Sequence, residues 1–170
     1  MKKIAALSAF IFFAFTGFAQ TFSVKKGGHV YTMEIPDYLT KTYSLNEVAT
    51  LQYMNSNKEA YVIVIEDSKE LLESLGTKFV DSKDFLDNFT STFHKDDKNR
   101  TLGSVSQFTA NNNKHSQVEM TWENDGLNFY MIITGVETPT HFYKIMTWTI
   151  SENKDLLKSD FLRISKSLKD

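Results

Sequence analysis

The sequence predicts an α+β fold: a mainly antiparallel β-sheet flanked by helices, with an amphipathic C-terminal helix on the sheet. Three observations carry this. The stretch Leu127–Ile150 reads as two long strands, Asn128–Thr134 and His141–Ile150, joined by a turn through Gly135 and Pro139. Both strands are apolar on both faces. Near the end of the chain, Leu157, Phe161, Ile164 and Leu168 are spaced 4, 3 and 4, which is one face of a helix.

Strand side chains alternate between faces with period two. In His141–Ile150, residues Phe142, Met146, Trp148 and Ile150 share one face, and Tyr143, Ile145, Thr147 and Thr149 the other. In the preceding strand Phe129, Met131 and Ile133 oppose Tyr130 and Ile132. Aromatic and β-branched residues suit a pleated surface. A sheet with one wet face would alternate apolar and polar residues, so cover on both faces is expected. A two-sheet sandwich would also supply it, but the helical signals then have nowhere to pack.

The remaining elements follow in chain order. Gln20–Gly28 reads as a short lead-in strand or loop carrying Phe22 and Val24. His29–Ile35 is a strand through Val30, Met33 and Ile35, stopped by Pro36. Asp37–Val48 reads as a loop with Tyr38, Leu39, Tyr43 and Leu45 tucked onto the sheet edge. Ala49–Met54 and Ala60–Glu66 form a hairpin, because Asn55-Ser56-Asn57-Lys58 is turn material. Asp67-Ser68-Lys69-Glu70 resembles a capping box opening a short helix with Leu71, Leu72 and Leu75, ended by Gly76. Asp81 to Asp84 repeats that signal before a helix carrying Phe85, Leu86, Phe89 and Phe93. His94 to Arg100 is a charged loop and Leu102–Ala110 a weaker strand. His115–Glu123 puts Val118, Met120 and Trp122 on one face and Gln117, Glu119, Thr121 and Glu123 on a wet one. Asn124-Asp125-Gly126 is a tight-turn signal, making the last three strands an antiparallel meander. The closing helix spans about Asn153 to Leu168, flanked by Leu156, with Lys154, Lys158, Asp160, Arg163 and Lys166 on its wet side.

The N-terminus reads as a secretory signal. Lys2 and Lys3 precede an apolar run from Ile4 to Phe15, and Gly17-Phe18-Ala19 offers small residues for cleavage after Ala19. The apolar run is short for a spanning helix, so residues 1–19 are expected to be removed and 20–170 to form one domain. That leaves about 150 residues, an ordinary domain size. The short Lys-Lys signal looks bacterial, so a periplasmic or secreted location is expected. The chain has no cysteine, which excludes disulfides, thiol chemistry, cysteine-ligated metal sites and lipoprotein anchoring. The formal charge of −2 becomes about −4 without Lys2 and Lys3. With no basic stripe, nucleic acid is not an expected partner, and scattered lysines do not suit a membrane surface.

Three local features give this order of elements a family likeness. They are an opening strand ending in proline (Tyr31-Thr32-Met33-Glu34-Ile35-Pro36), an aromatic last strand (Phe142-Tyr143-Lys144-Ile145-Met146-Thr147-Trp148) and the closing helix (Phe161-Leu162-Arg163-Ile164-Ser165-Lys166-Ser167-Leu168). Together they resemble the PsbP-like family, an α/β/α sandwich named after an extrinsic subunit of photosystem II. The likeness covers most of the exported chain as a pattern of elements, not as a motif. It implies a mainly non-enzymatic role in binding or assembly, transfers no catalytic residue, and gives no indication of photosynthesis.

Catalytic motifs are missing. Gly27-Gly28 stands alone and precedes a strand, and there is no G-x-S-x-G elbow or H-E-x-x-H pair. His94 with Asp96 and Asp97 could hold a divalent cation, against the plainer reading of a solvated charge run. His115 and Glu119 lie two period-two steps apart, about 13 Å between Cα atoms, too far for both to hold one metal directly. His29 and His141 each open a strand and read as exposed or edge residues. Glu119 and Glu123 share a strand face and read as solubility. Sequons at Asn88 and Asn99 carry no meaning in a bacterial chain.

No catalytic, metal-ligating or cofactor-binding residue is therefore expected. The leading expectation is an exported non-enzymatic accessory domain that binds another envelope protein. One alternative is a carrier of a small apolar ligand held between the sheet and the Phe85/Phe89/Phe93 helix. Another is an enzyme whose polar residues are assembled by strand register.

Burying the four helix residues contributes roughly 6–12 kcal/mol gross before ordering entropy. Domains are stable by only about 5–15 kcal/mol net. Phe161→Asp, or truncation after Asn153, is therefore expected to unfold the domain in a thermal melt. A soluble truncated protein with an unchanged melting temperature would contradict this.

Overall fold

The computed structural model describes residues 20–28 and 31–170. The expected signal segment with its cleavage point, and the residues His29 and Val30, lie outside the described residues. Strands β1 (Phe22–Gly27) and β2 (Tyr31–Pro36) pair as a separate antiparallel hairpin. The main sheet takes β3 (Thr40–Lys41), β4 (Leu51–Asn55), β5 (Ala60–Ser68), β6 (Lys98–Leu102), β7 (Ser106–Ala110), β8 (Asn113–Asn124), β9 (Leu127–Glu137) and β10 (His141–Ile150). The helices are α1 (Lys69–Ser74), α2 (Ser82–Thr90) and α3 (Lys154–Lys166). Strand order is β3-β4-β5-β10-β9-β8, with β6 and β7 pairing successive stretches of β8. The two strands expected to be central are central, and they pair antiparallel with each other and with their neighbours.

Each face has its own core. On one, Tyr31, Met33 and Ile35 of β2 and Leu157, Phe161, Ile164 and Leu168 of the C-terminal segment pack on Val62, Val64, Tyr130, Ile132, Tyr143 and Ile145. The hairpin and α3 are also tied together. Thr32 and Lys169 exchange backbone hydrogen bonds of 2.8 and 2.9 Å. The Glu34 amide donates to Ser167 Oγ at 2.9 Å, and Arg163 Nη2 meets Glu34 at 2.8 Å. On the opposite face α2 covers Ile63, Val118, Met120, Met131, Ile133 and Met146 with Leu86 and its neighbours. Layers on both sides of a two-faced apolar sheet match the expected α/β/α sandwich.

Several local expectations change. Gly135 is not in the β9–β10 turn, which narrows to Thr138–Thr140. It lies inside β9, where α2 crosses so closely that an added Cβ would sit 2.9 Å from the Ser82 carbonyl oxygen. Beside it the Ser82 and Ser116 hydroxyls hydrogen-bond at 2.8 Å. The first helix is capped by Ser68, whose side chain accepts from the Leu71 amide. Asp67 stays in β5 and pairs with Lys144 at 3.1 Å. Asp81 caps α2 as expected, but the helix ends at Thr90, so Phe93 lies beyond it. Tyr43 is exposed and not tucked onto the sheet edge, and Leu156, expected to flank the apolar face of the closing helix, is exposed too. The strand expected over Leu102–Ala110 is realised only as β7 at Ser106–Ala110, and the charged loop expected over His94–Arg100 passes into strand β6 at Lys98. The wet face expected for β8 is covered at His115 and Gln117, and Gln117 donates to Thr134 at 2.9 Å. The β8–β9 turn is the expected tight one: Asp125 and Gly126 both have positive φ, 51° and 77°, as a type I′ turn requires.

In an ordinary strand, Gly→Ala gains about 0.5–1 kcal/mol. At Gly135 the fixed Ser82 carbonyl reverses the sign. Gly135→Ala should destabilise, and Gly135→Val should cost about 1–3 kcal/mol as an overpacked contact, both read by denaturant unfolding. A Gly135→Ala protein as stable as wild type would show that α2 does not need this approach.

Candidate functional site

Antiparallel register lays the α2-side face out in rows. Tyr61, Trp148, Met131 and Met120 stand side by side on β5, β10, β9 and β8. One step on, Ile150, Phe129 and Trp122 form the next row. Within these rows Trp148 and Phe129 are only partly buried, past the end of the cover that α2 gives over Gly135. The result is a cleft of about 300 Å³ floored by Ile63, Met131, Met146, Trp148, Phe129 and Trp122. Phe93 and His94 form one wall, and Asn46 and Asn124 stand at its rim.

One side chain holds each wall. After α2 ends, Arg100 donates from Nε to the Phe93 carbonyl at 3.0 Å and from Nη2 to the Thr90 carbonyl at 2.6 Å. It satisfies carbonyls that the helix end leaves open. The turn it fixes puts His94 at φ 54°, a conformation that costs a non-glycine residue about 1–2 kcal/mol. His94 stacks on Trp122 at 4.4 Å between ring centroids and meets Phe93 edge-on at 4.2 Å. Its Nδ1 is 2.6 Å from Asp97 Oδ2. A carboxylate accepts, so Nδ1–H donates and Nε2 remains as the second polar atom of the ring. On the other side, buried Gln52 accepts from the Leu45 and Asn46 amides at 3.0 and 3.1 Å and donates to the Asn46 carbonyl at 2.6 Å. Asn46 Oδ1 accepts in turn from the Val48 and Ala49 amides.

This cleft can bind an apolar group. His94 is the one titratable side chain among its described lining residues, so a nucleophile–base pair is not assembled there. His94 and Asp97 come together as expected, but as partners of each other. Among the described residues, no group of three or more His, Asp or Glu is placed to hold a metal ion. Phe93 reaches the cleft, while Phe85 stacks on Phe142 at 4.9 Å and belongs to the core under α2.

His115 and His141 lie on the opposite face. His115 is buried against the Phe108 ring, 4.9 Å away. His141 is mostly buried, 3.7 Å from Glu66, at the start of the central strand β10, and is neither exposed nor on an edge strand as expected. Glu119 is not a free solubility charge. Lys158 reaches it at 2.7 Å and the Tyr130 hydroxyl donates to it at 2.9 Å. Burial pushes Glu119 upward, but these hydrogen bonds outweigh it and hold the carboxyl below its ordinary range. Arg100 and Gln52 were not legible as site residues, because they act on backbone groups remote in sequence. A larger depression between β2 and α3, about 470 Å³ and lined by Glu34, Arg163 and Lys166, is polar and open. Its Arg163 is already paired with Glu34.

No family model matches the sequence, and a search of curated proteins finds no match. Solved structures do match in fold. CyanoP, the cyanobacterial PsbP of Synechocystis, superposes with a TM-score of 0.59 at 14% identity, over 81% of this chain and 85% of that one. The chain has the PsbP-like fold. LpqN of Mycobacterium tuberculosis, described as involved in cell envelope biogenesis, gives 0.60 at 11% identity over 88% of this chain and 90% of that one. Protein PA94 of Pseudomonas aeruginosa, of unknown function, gives 0.50 at 10% identity over 83% and 91%. Among the described residues no helix is long and apolar enough to cross a membrane.

Burial holds the His115 imidazole below its ordinary value of 6.5; the nearby Lys166 charge acts the same way, and backbone groups of Ala110 and Ser165 oppose it. A base whose folded value is depressed binds fewer protons folded than unfolded just below pH 6.5, so stability falls as pH drops through that range. His115→Leu should flatten this part of the stability–pH curve. An unchanged slope in the variant would place the acid sensitivity elsewhere.

Proposed function

We propose that this protein is an exported, non-catalytic accessory domain of the bacterial cell envelope that binds another envelope protein through the aromatic cleft. The observation that carries this reading is the cleft itself: an apolar floor at the edge of the α2-side core, between walls fixed by Arg100 and Gln52. Rigid, pre-formed apolar concavities with few polar groups are binding sites, and aromatic pockets seat the anchor residues of protein interfaces. The N-terminal pattern that reads as an export signal and the envelope role stated for LpqN support the location.

One observation favours a small apolar ligand as the second reading. At about 300 Å³ the cleft reaches the lower end of small-molecule pockets, roughly 300–1,000 Å³.

The test is cross-linked capture from the native envelope with wild type and Trp148→Leu, alongside native mass spectrometry of the gently purified protein. A discrete partner captured by wild type and reduced about tenfold or more in Trp148→Leu, with both proteins folded, is the expected result. Equal capture by both proteins, or none by either, contradicts it. A bound mass of a few hundred daltons, lost on denaturation and absent from Trp148→Leu, would replace the partner protein with the small ligand.

A further inference from the structure

We infer that the cleft recognises an extended segment of its envelope partner in which an aromatic residue stands next to a lysine or arginine. This rests on the protein-binding reading and names the chemistry of the partner. Beside the cleft lies a second depression of about 310 Å³, lined by Asp96, Asp97, Lys98, Glu123, Asn124 and Asp125. It presents four carboxylates against one ammonium.

The two hollows adjoin at two residues. Asn124 lines both. Asp97 lines the acidic groove and holds His94, the wall of the cleft, at 2.6 Å. The cleft offers ring faces, thioethers and, at its wall and rim, the polar groups of His94 and Asn124. That suits a tyrosine or tryptophan side chain, which pairs an apolar ring with one polar hydrogen. The groove then offers negative charge where the neighbouring residue of the segment lies. Complementary charge at a rim selects partners more than it adds affinity. A fatty acid fits this surface poorly, because its carboxylate would face the same acidic groove.

The experiment uses three capped dipeptides as probes: acetyl-Trp-Arg-amide, acetyl-Trp-Glu-amide and acetyl-Ala-Arg-amide. Each is titrated into the exported protein, and binding is followed by NMR shifts of the Trp122 and Trp148 indoles and the Asn124 and Asp125 amides. Trp-Arg should bind about five- to tenfold more tightly than Trp-Glu, as expected for two or more exposed charge contacts, and Ala-Arg should be weaker still. The double variant Asp96→Asn/Asp125→Asn should erase the preference for Arg and keep the binding of the ring. Both positions are exposed, and Asn tolerates the positive φ at residue 125. About 0.5 M salt should act as the double variant does. If Trp-Arg and Trp-Glu bind alike, or shift residues away from the cleft, the basic–aromatic signature is overturned. Partner capture that still depends on Trp148 would then leave the protein-binding reading standing. Loss of both Trp148-dependent capture and peptide binding would overturn the two together.

Discussion

A long sheet that is apolar on both faces must be covered twice, and this chain covers it unequally. Strand β8 has twelve residues, about 40 Å at 3.4 Å per residue. The nine residues of α2 extend about 14 Å at 1.5 Å per residue. The other face receives the thirteen-residue α3 and the β1–β2 hairpin side by side. The difference leaves Trp148 and Phe129 only partly buried, flooring a cleft at the edge of that core. Everything distinctive about the α2 side follows from that shortfall.

The fold was legible in the sequence where spacing alone decides the outcome. Period-two runs in β9 and β10 assign both faces correctly, and the 4, 3, 4 spacing of the closing helix picks out four residues that are all buried. Elements went wrong where a contact remote in sequence decides the outcome. Gly135 reads as a turn residue until α2 is seen crossing it. Glu119 reads as wet until Lys158 arrives from α3. Phe93 continues the helical stripe of Phe85 and Phe89 on paper, but Arg100 holds the chain in a turn after Thr90. The cleft had one visible trace: its floor residues fall on one face of four adjacent strands. Its walls had none, because Gln52 and Arg100 are ordinary polar residues until their backbone partners are known.

At 10–14% identity to the matching structures, what persists is the layering of elements, not the side chains that line any site. This chain's candidate site is therefore argued from its own residues. The pairing of Asp97 with His94 and the strained φ at His94 are local features of the kind that mark a positioned side chain. Arg100 supports the same turn through two backbone carbonyls. Polar contacts thus fix the turn of the wall, while its Phe93 and His94 rings pack against the α2-side core.

The most direct measurement is methionine-methyl NMR during addition of a free aromatic probe such as indole. Met131 and Met146 lie on the cleft floor, whereas Met33 is in the core of the opposite face. The account predicts saturable shifts at Met131 and Met146 with Met33 unmoved. Shifts spread equally over all three, or none at Met131 and Met146, would show that the cleft is closed to ligands and contradict the central claim.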